Sequence, residues 1–228
     1  MPFAQPPTEY TGTPARVVLP AGTSLFRVHG CSRPPEEFKQ LASNPFFGGG
    51  RFDATEQDPY PFMYAGLSET AALAETLLRS LPFEPDGGSR LLPRAAVKQR
   101  RFSHLRLTTE ITLLSLATTA DLAAVSQDEW LVHAGPDQYA QTRYWAHWLR
   151  EVAPWAQGFV WLSKRDLGQR VVILFGDRCD PGLLEPAATP SADLDDLDGE
   201  TWLNRVLTPY RTQVAPPELT VGTSAAPP

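Results

Sequence analysis

The 228-residue sequence predicts an α+β fold. Short apolar alternations mark several strands, two stretches carry helical periodicity, and the two kinds follow one another without the regular βαβ repeat of a doubly wound sheet. Hydrophobic residues make up 42% and charged residues 20%. That balance supports one buried core with appendages rather than a disordered chain.

Residues 1–20 hold Pro2, Pro6, Pro7, Pro14 and Pro20, a density that favours extended, solvated backbone and reads as an arm. After the Pro20-Ala21-Gly22 turn, residues 24–29 alternate and predict a strand. Gly48-Gly49-Gly50 predicts a flexible turn that presents Arg51, and with no GK[ST] behind it this run is not a phosphate loop. Ser68 is placed to cap a helix over 69–78, with Leu67, Ala71, Ala74 and Leu78 on one stripe and Glu75 beside it. The basic run Lys98-Gln99-Arg100-Arg101 reads as a strand edge or turn, with a phosphate contact as the alternative.

Residues 101–107 and 113–116 predict two more strands. Asp137 is expected to cap a helix to Val152 whose face carries Tyr144, Trp145, Trp148, Leu149 and Val152, stopped by Pro154. Residues 158–163 and 170–175 then predict a pair of strands. From Pro186 onward prolines return, and the stretch reads as a second arm with a disordered end. Within it, acidic residues from Asp193 to Glu200 lead into a short amphipathic helix with Trp202, Leu203, Val206 and Leu207. That helix either docks on the body or a partner, or packs loosely. The expected organisation is an arm over 1–20, a domain over 21–185 and an acidic, Pro-rich tail over 186–228.

Composition also narrows function. A formal net charge of −6 and the lack of a long basic run argue against direct nucleic-acid binding. Cys31 and Cys179 are too few for a disulfide framework and lack CxxC spacing, which suits free thiols in a reducing cytoplasm. The first residues do not read as a signal peptide, and the longest apolar run, 171–175, is far too short for a membrane span. His29, His104, His133 and His147 show no metal-ligand spacing, so no metal is expected.

Four segments together resemble the RES family, named for an arginine, a glutamate and a serine. They are Leu25-Phe26-Arg27-Val28; Gly50-Arg51-Phe52-Asp53 with Phe62-Met63-Tyr64-Ala65; Thr70-Ala71-Ala72-Leu73-Ala74-Glu75-Thr76; and Gly158-Phe159-Val160-Trp161-Leu162-Ser163-Lys164-Arg165. The resemblance covers residues 24–176 and implies an ADP-ribosyltransferase-like fold, a split, mixed sheet flanked by helices. It implies that Arg27, Glu75 and Ser163 are the name-giving positions and that Arg51 and Tyr64 belong to an NAD pocket. Family members are typically toxins that degrade NAD, and each is usually blocked by a cognate antitoxin with a helix-turn-helix (Xre-type) domain; some are ascribed ADP-ribose transfer to a protein.

The residue types suit that task. A guanidinium can grip a pyrophosphate through two parallel hydrogen bonds, which points to Arg27 and Arg51. Breaking the nicotinamide–ribose bond builds positive charge on the ribose, so one carboxylate, Glu75, can lower the barrier; nicotinamide leaves neutral from a pyridinium and needs no acid. Tyr64 can stack on a base, Ser163 can hydrogen-bond a ribose, a phosphate or the glutamate, and His29 lies close enough to the first motif to touch the ligand. Taken singly, the same residues fit a surface arginine, a solvent-facing glutamate, a core tyrosine and satisfied strand-end Ser and His. The expected activity is NAD glycohydrolysis or phosphorolysis. Alternatives are mono-ADP-ribosylation of a protein and a non-catalytic module that binds NAD or a partner, with homo-oligomerisation open.

Overall fold

The computed structural model describes residues 5–79, 81–189 and 191–217. In chain order the elements are β1 (Arg16–Leu19), β2 (Ser24–Gly30), β3 (Phe62–Gly66), α1 (Glu69–Leu77), β4 (Arg90–Leu92), α2 (Arg94–Val97), β5 (Arg100–Leu107), β6 (Ile111–Ser115), α3 (Thr119–Ala124) and α4 (Trp130–His133). They continue with α5 (Tyr139–Val152), β7 (Gly158–Leu162), β8 (Arg170–Phe175), β9 (Leu184–Pro186), β10 (Ala192–Asp193), α6 (Leu197–Leu207) and β11 (Thr212–Val214).

A mixed sheet runs in the order β1-β6-β7-β8-β3-β2-β5-β10, with β9 also on β5, while β11 and β4 form a separate parallel pair. Among the described residues, only β6 and β7 run parallel in the large sheet. The expected α+β class and mixed, split sheet flanked by helices are what the chain adopts. The split has a definite place: β2 pairs with β5 along its whole length and β3 with β8 likewise, yet β2 and β3 meet only at Phe26 and Gly66.

Alternation along the central strands fills two cores. In β8, Val171, Ile173 and Phe175 face the cluster built around Trp145 and Leu149 of α5, and Val172 and Leu174 face the opposite cluster with Leu25, Leu105 and Leu113. A third cluster joins α1 to α6 through Leu73, Leu77, Leu203 and Leu207.

Several expectations shift. Inside the Pro-rich 1–20 stretch, Arg16–Leu19 pairs antiparallel with β6 and is an edge strand of the main sheet. Inside the 186–228 stretch, β10 pairs with β5, and α6 buries Leu203 and Leu207 completely. Its acidic lead-in works as a cap: Asp196 accepts from Gly199 N at 2.7 Å, and Asp193 pairs with Arg101. Asp137 does not cap α5; it lies in the 3₁₀ turn Pro136–Gln138, and Gln138 at the cap position makes no side-chain bond. Tyr144, expected on the buried face, is 56% exposed, whereas Arg143 is 1% exposed. The buried stripe of α5 is rotated toward two arginines because the fold supplies their partners, as the site makes clear.

Candidate functional site

At the split between β2 and β3, under α1, lies a cleft of about 420 Å³. Phe26, Arg27 and Val28 come from β2, Phe62, Tyr64, Ala65 and Gly66 from β3, and Ala72, Glu75 and Thr76 from α1. Lys39, Gly49, Gly50, Arg51 and Asp53 enter from the preceding loop, and Arg79, Arg100, Trp161 and Val171 complete the wall. Of the expected site residues, Arg27, Arg51, Tyr64 and Glu75 therefore share one cavity. Five cations and two carboxylates line it, so the field favours an anion.

Glu75 is presented by a well-started helix. Ser68 accepts from Ala71 N at 3.1 Å, as its sequence position predicts. The Glu75 carboxylate is then fixed from the far side of the cleft. Ser163 Oγ donates to its Oε1 at 2.7 Å, and the Lys164 backbone N donates to the same oxygen at 3.0 Å. Ser163 itself is fully buried and accepts from the amides of Arg165 and Asp166. It does not line the cleft, so its position is that of a support for Glu75.

Arg51 follows a glycine turn whose carbonyls are held by hydrogen bonds from α5. Gly48 and Gly49 adopt φ of 60° and 71°, in the left-handed region that glycine tolerates best. Buried Arg143 donates to the carbonyls of Gly48 at 2.7 Å, Gly50 at 3.2 Å and Pro45 at 3.2 Å, and Thr142 Oγ1 donates to the Arg51 carbonyl at 2.8 Å. The Arg51 guanidinium donates one bond to Ala134 O and lies over the Tyr139 ring. Burial lowers its pKa to about 10, partly countered by Glu75.

Arg27 is likewise lowered to about 10 by burial, and its Nη1 donates to the carbonyls of Pro35 at 2.6 Å and Glu37 at 2.9 Å. One face of this guanidinium thus braces the 35–37 loop. Tyr64 is held by accepting from Phe52 N at 2.9 Å and by edge contacts with Phe62 and Trp161; burial, then Asp53, raises its phenol well above the ordinary range.

His29 is not brought into the cleft. It is 6% exposed, with Nε2 at 2.8 Å from Ser103 Oγ and Nδ1 at 3.0 Å from the Gly30 carbonyl. In the basic run, Gln99 takes a positive φ, Arg101 pairs with Asp193, and Arg100 reaches the cleft wall. Both cysteines are free. Among the described residues no group of His, Cys, Asp or Glu could hold a metal ion, and no helix is long and apolar enough to cross a membrane.

Sequence reasoning passed over Lys39, Arg79 and Trp161, and gave Asp53 no role. Asp53 and Trp161 stood inside quoted motifs and Arg79 lies four residues after Glu75, just beyond the end of α1, but Lys39 carries no local signal and reaches the cleft through topology alone.

Fold and site together define an α+β protein with a cationic cleft at a sheet split, built around one positioned carboxylate. The chain belongs to the RES domain family, whose model matches residues 24–201. Among solved structures, a chain of the M. tuberculosis MbcT–MbcA toxin–antitoxin complex is similar, with a TM-score of 0.53, 18% identity, and coverage of 78% of this chain and 86% of that one. At that identity the likeness is one of fold. No curated protein matches significantly.

Proposed function

We propose that the protein binds NAD in this cleft and cleaves the bond between nicotinamide and ribose, acting as a toxin that depletes the cofactor. The observation that carries the reading is the convergence of Arg27, Arg51, Tyr64 and Glu75 on one cavity, with Glu75 held by Ser163 and Lys164 N. Arg51, and the part of the Arg27 guanidinium not bonded to the 35–37 loop, face the pyrophosphate. Tyr64 packs against a ring of the dinucleotide.

In this reading Glu75 lies beside the anomeric carbon and offsets charge that develops only as the bond breaks, so it stabilises the transition state more than the substrate. The electron pair of the broken bond goes to the ring nitrogen, which becomes neutral, and no proton donor is required. Water or phosphate then forms the new bond to the ribosyl carbon through oxygen, water releasing its proton to solvent. A cognate antitoxin, with a helix-turn-helix domain as in the family, would act by covering this cleft.

The test uses purified protein, free of any inhibitor, mixed with NAD. Glu75→Gln keeps the shape and the bonds from Ser163 and Lys164 N while removing the charge. Loss of one such electrostatic stabiliser should lower kcat roughly 100- to 1,000-fold with the melting temperature unchanged. Product analysis with and without phosphate distinguishes hydrolysis from phosphorolysis. A folded wild-type protein that leaves NAD intact under both conditions overturns the reading.

A further inference from the structure

Among the described residues, eight buried side-chain polar atoms lack a hydrogen-bond partner, and four of them belong to residues lining the cleft. They are Arg27 Nε, Arg51 Nε, Asp53 Oδ1 and Trp161 Nε1. Buried polar groups are normally paired, so such a concentration at one place marks groups awaiting a ligand. The arginine N–H groups suit a pyrophosphate. The other two do not follow from that need.

Asp53 is 2% exposed. Its Oδ2 accepts from Ser43 Oγ at 2.5 Å and lies 3.5 Å from Lys39 Nζ, while Oδ1 has no partner at full hydrogen-bond geometry and the Tyr64 phenol is the donor that interacts with this carboxylate from the cleft side. A carboxylate oxygen repels phosphate and calls for a donor. Gly50 leaves room beside it, since a Cβ there would stand 2.5 Å from Oδ1 and 2.8 Å from the Tyr64 hydroxyl. Trp161, also 2% exposed, packs its ring 5.2 Å from Phe52, the neighbour of Asp53, and 6.2 Å from Tyr64. An indole N–H can only donate. Acceptor and donor therefore both belong to residues of the cleft wall, on either side of Tyr64 in the sequence of lining residues.

We infer that Asp53 and Trp161 read the edge of one planar base of the dinucleotide: Asp53 Oδ1 accepts from an exocyclic amino N–H, and Trp161 Nε1 donates to an acceptor beside it. The inference rests on the NAD reading and adds to it the residues that set base specificity. Two groups of NAD have this chemistry, the carboxamide of nicotinamide and the amino edge of adenine. The experiment tells them apart.

Wild type, Asp53→Asn and Trp161→Phe are compared on NAD, on the acetylpyridine analogue, which lacks the carboxamide N–H, and on the hypoxanthine analogue, which lacks the adenine amino group. The readout is the ratio of kcat/KM for NAD to that for each analogue. Differences in leaving-group chemistry and in the fraction of folded enzyme cancel when these ratios are compared between variants. A hydrogen bond to a charged group corresponds to roughly a 10- to 100-fold preference. Wild type should show that preference against one analogue, and Asp53→Asn, nearly isosteric but neutral, should lose most of it. Trp161→Phe removes the indole N–H while leaving an aromatic ring at the site, and should raise KM for NAD about 2- to 10-fold with little change in kcat. Collapse against the acetylpyridine analogue assigns the pair to the nicotinamide end, and collapse against the hypoxanthine analogue to the adenine end. Preferences unchanged in Asp53→Asn toward both analogues overturn the inference while leaving NAD cleavage standing, whereas absence of any NAD turnover in wild type removes the reading beneath it.

Discussion

Glu75 would be an ordinary half-exposed helix residue without Ser163, which reaches it at 2.7 Å from the end of β7. Replacing Ser163 by Ala deletes that bond and leaves the amides of Arg165 and Asp166 to find water. The carboxylate would then be held by Lys164 N alone. We expect Ser163→Ala to lower kcat about 10-fold or more, the worth of a hydrogen bond to a charged group, with a stability loss near 1 kcal/mol. NAD turnover and thermal melting measure the two effects separately, and an unchanged kcat would show that Glu75 needs no such support. The residues of this site were unequally legible in the sequence. Arg27, Arg51, Tyr64 and Glu75 sit in motifs whose order identifies them together, but nothing local distinguishes His29, close to Arg27, from a pocket residue. The partner that decides is Ser103, seventy-four positions away, which only the pairing of β2 with β5 brings alongside.

At the level of elements, strands and helices with clean periodicity were readable and the placement of charged residues on them was not. The α5 helix shows why. Its aromatic residues suggested a face through Tyr144, yet the buried stripe includes Arg143 and Arg150. Arg143 is hydrogen-bonded by loop carbonyls, and Arg150 is paired with Asp58 and Asp177 with its guanidinium over Tyr60 and Phe175. None of these partners is visible from the helix sequence. The α6 helix errs in the other direction: proline content suggested a detached tail, but short amphipathic elements need no low-proline surroundings when a neighbour offers an apolar face. Leu203 is completely buried against the α1 cluster. Leu203→Ala should therefore destabilise the protein by about 2–5 kcal/mol, as for a core leucine, and with it the seat of the helix that carries Glu75. Urea unfolding measures this, and a loss below about 1 kcal/mol would mean that α6 contributes little to the body.

For the whole molecule, the histidines predict how stability changes with pH. All four, His29, His104, His133 and His147, have pKa values lowered below the ordinary 6.5, each chiefly by burial. Arg27 adds to the lowering at His29, and Arg51 and Lys164 add to it at His133. In the unfolded chain the same rings take up protons near 6.5, so below that pH the unfolded state binds more protons than the folded one. Stability is then complete above pH 6.5 and falls as the pH drops through the depressed folded values. Asp121 and Asp193, whose pKa values are lowered by hydrogen bonds from Ser115 and Arg101 respectively, lose their contribution only below about pH 4. Loss of stability on acidification should therefore begin with the histidines, before the carboxylates contribute. Because His147 is half-buried beside Thr55 and does not line the cleft, His147→Gln should make the pH 7 to 5 limb shallower while leaving the carboxylate limb in place. Melting temperatures at half-unit pH steps would show it. A profile flat from pH 7 to 5 in wild type would mean that these rings are not differentially protonated between the folded and unfolded states.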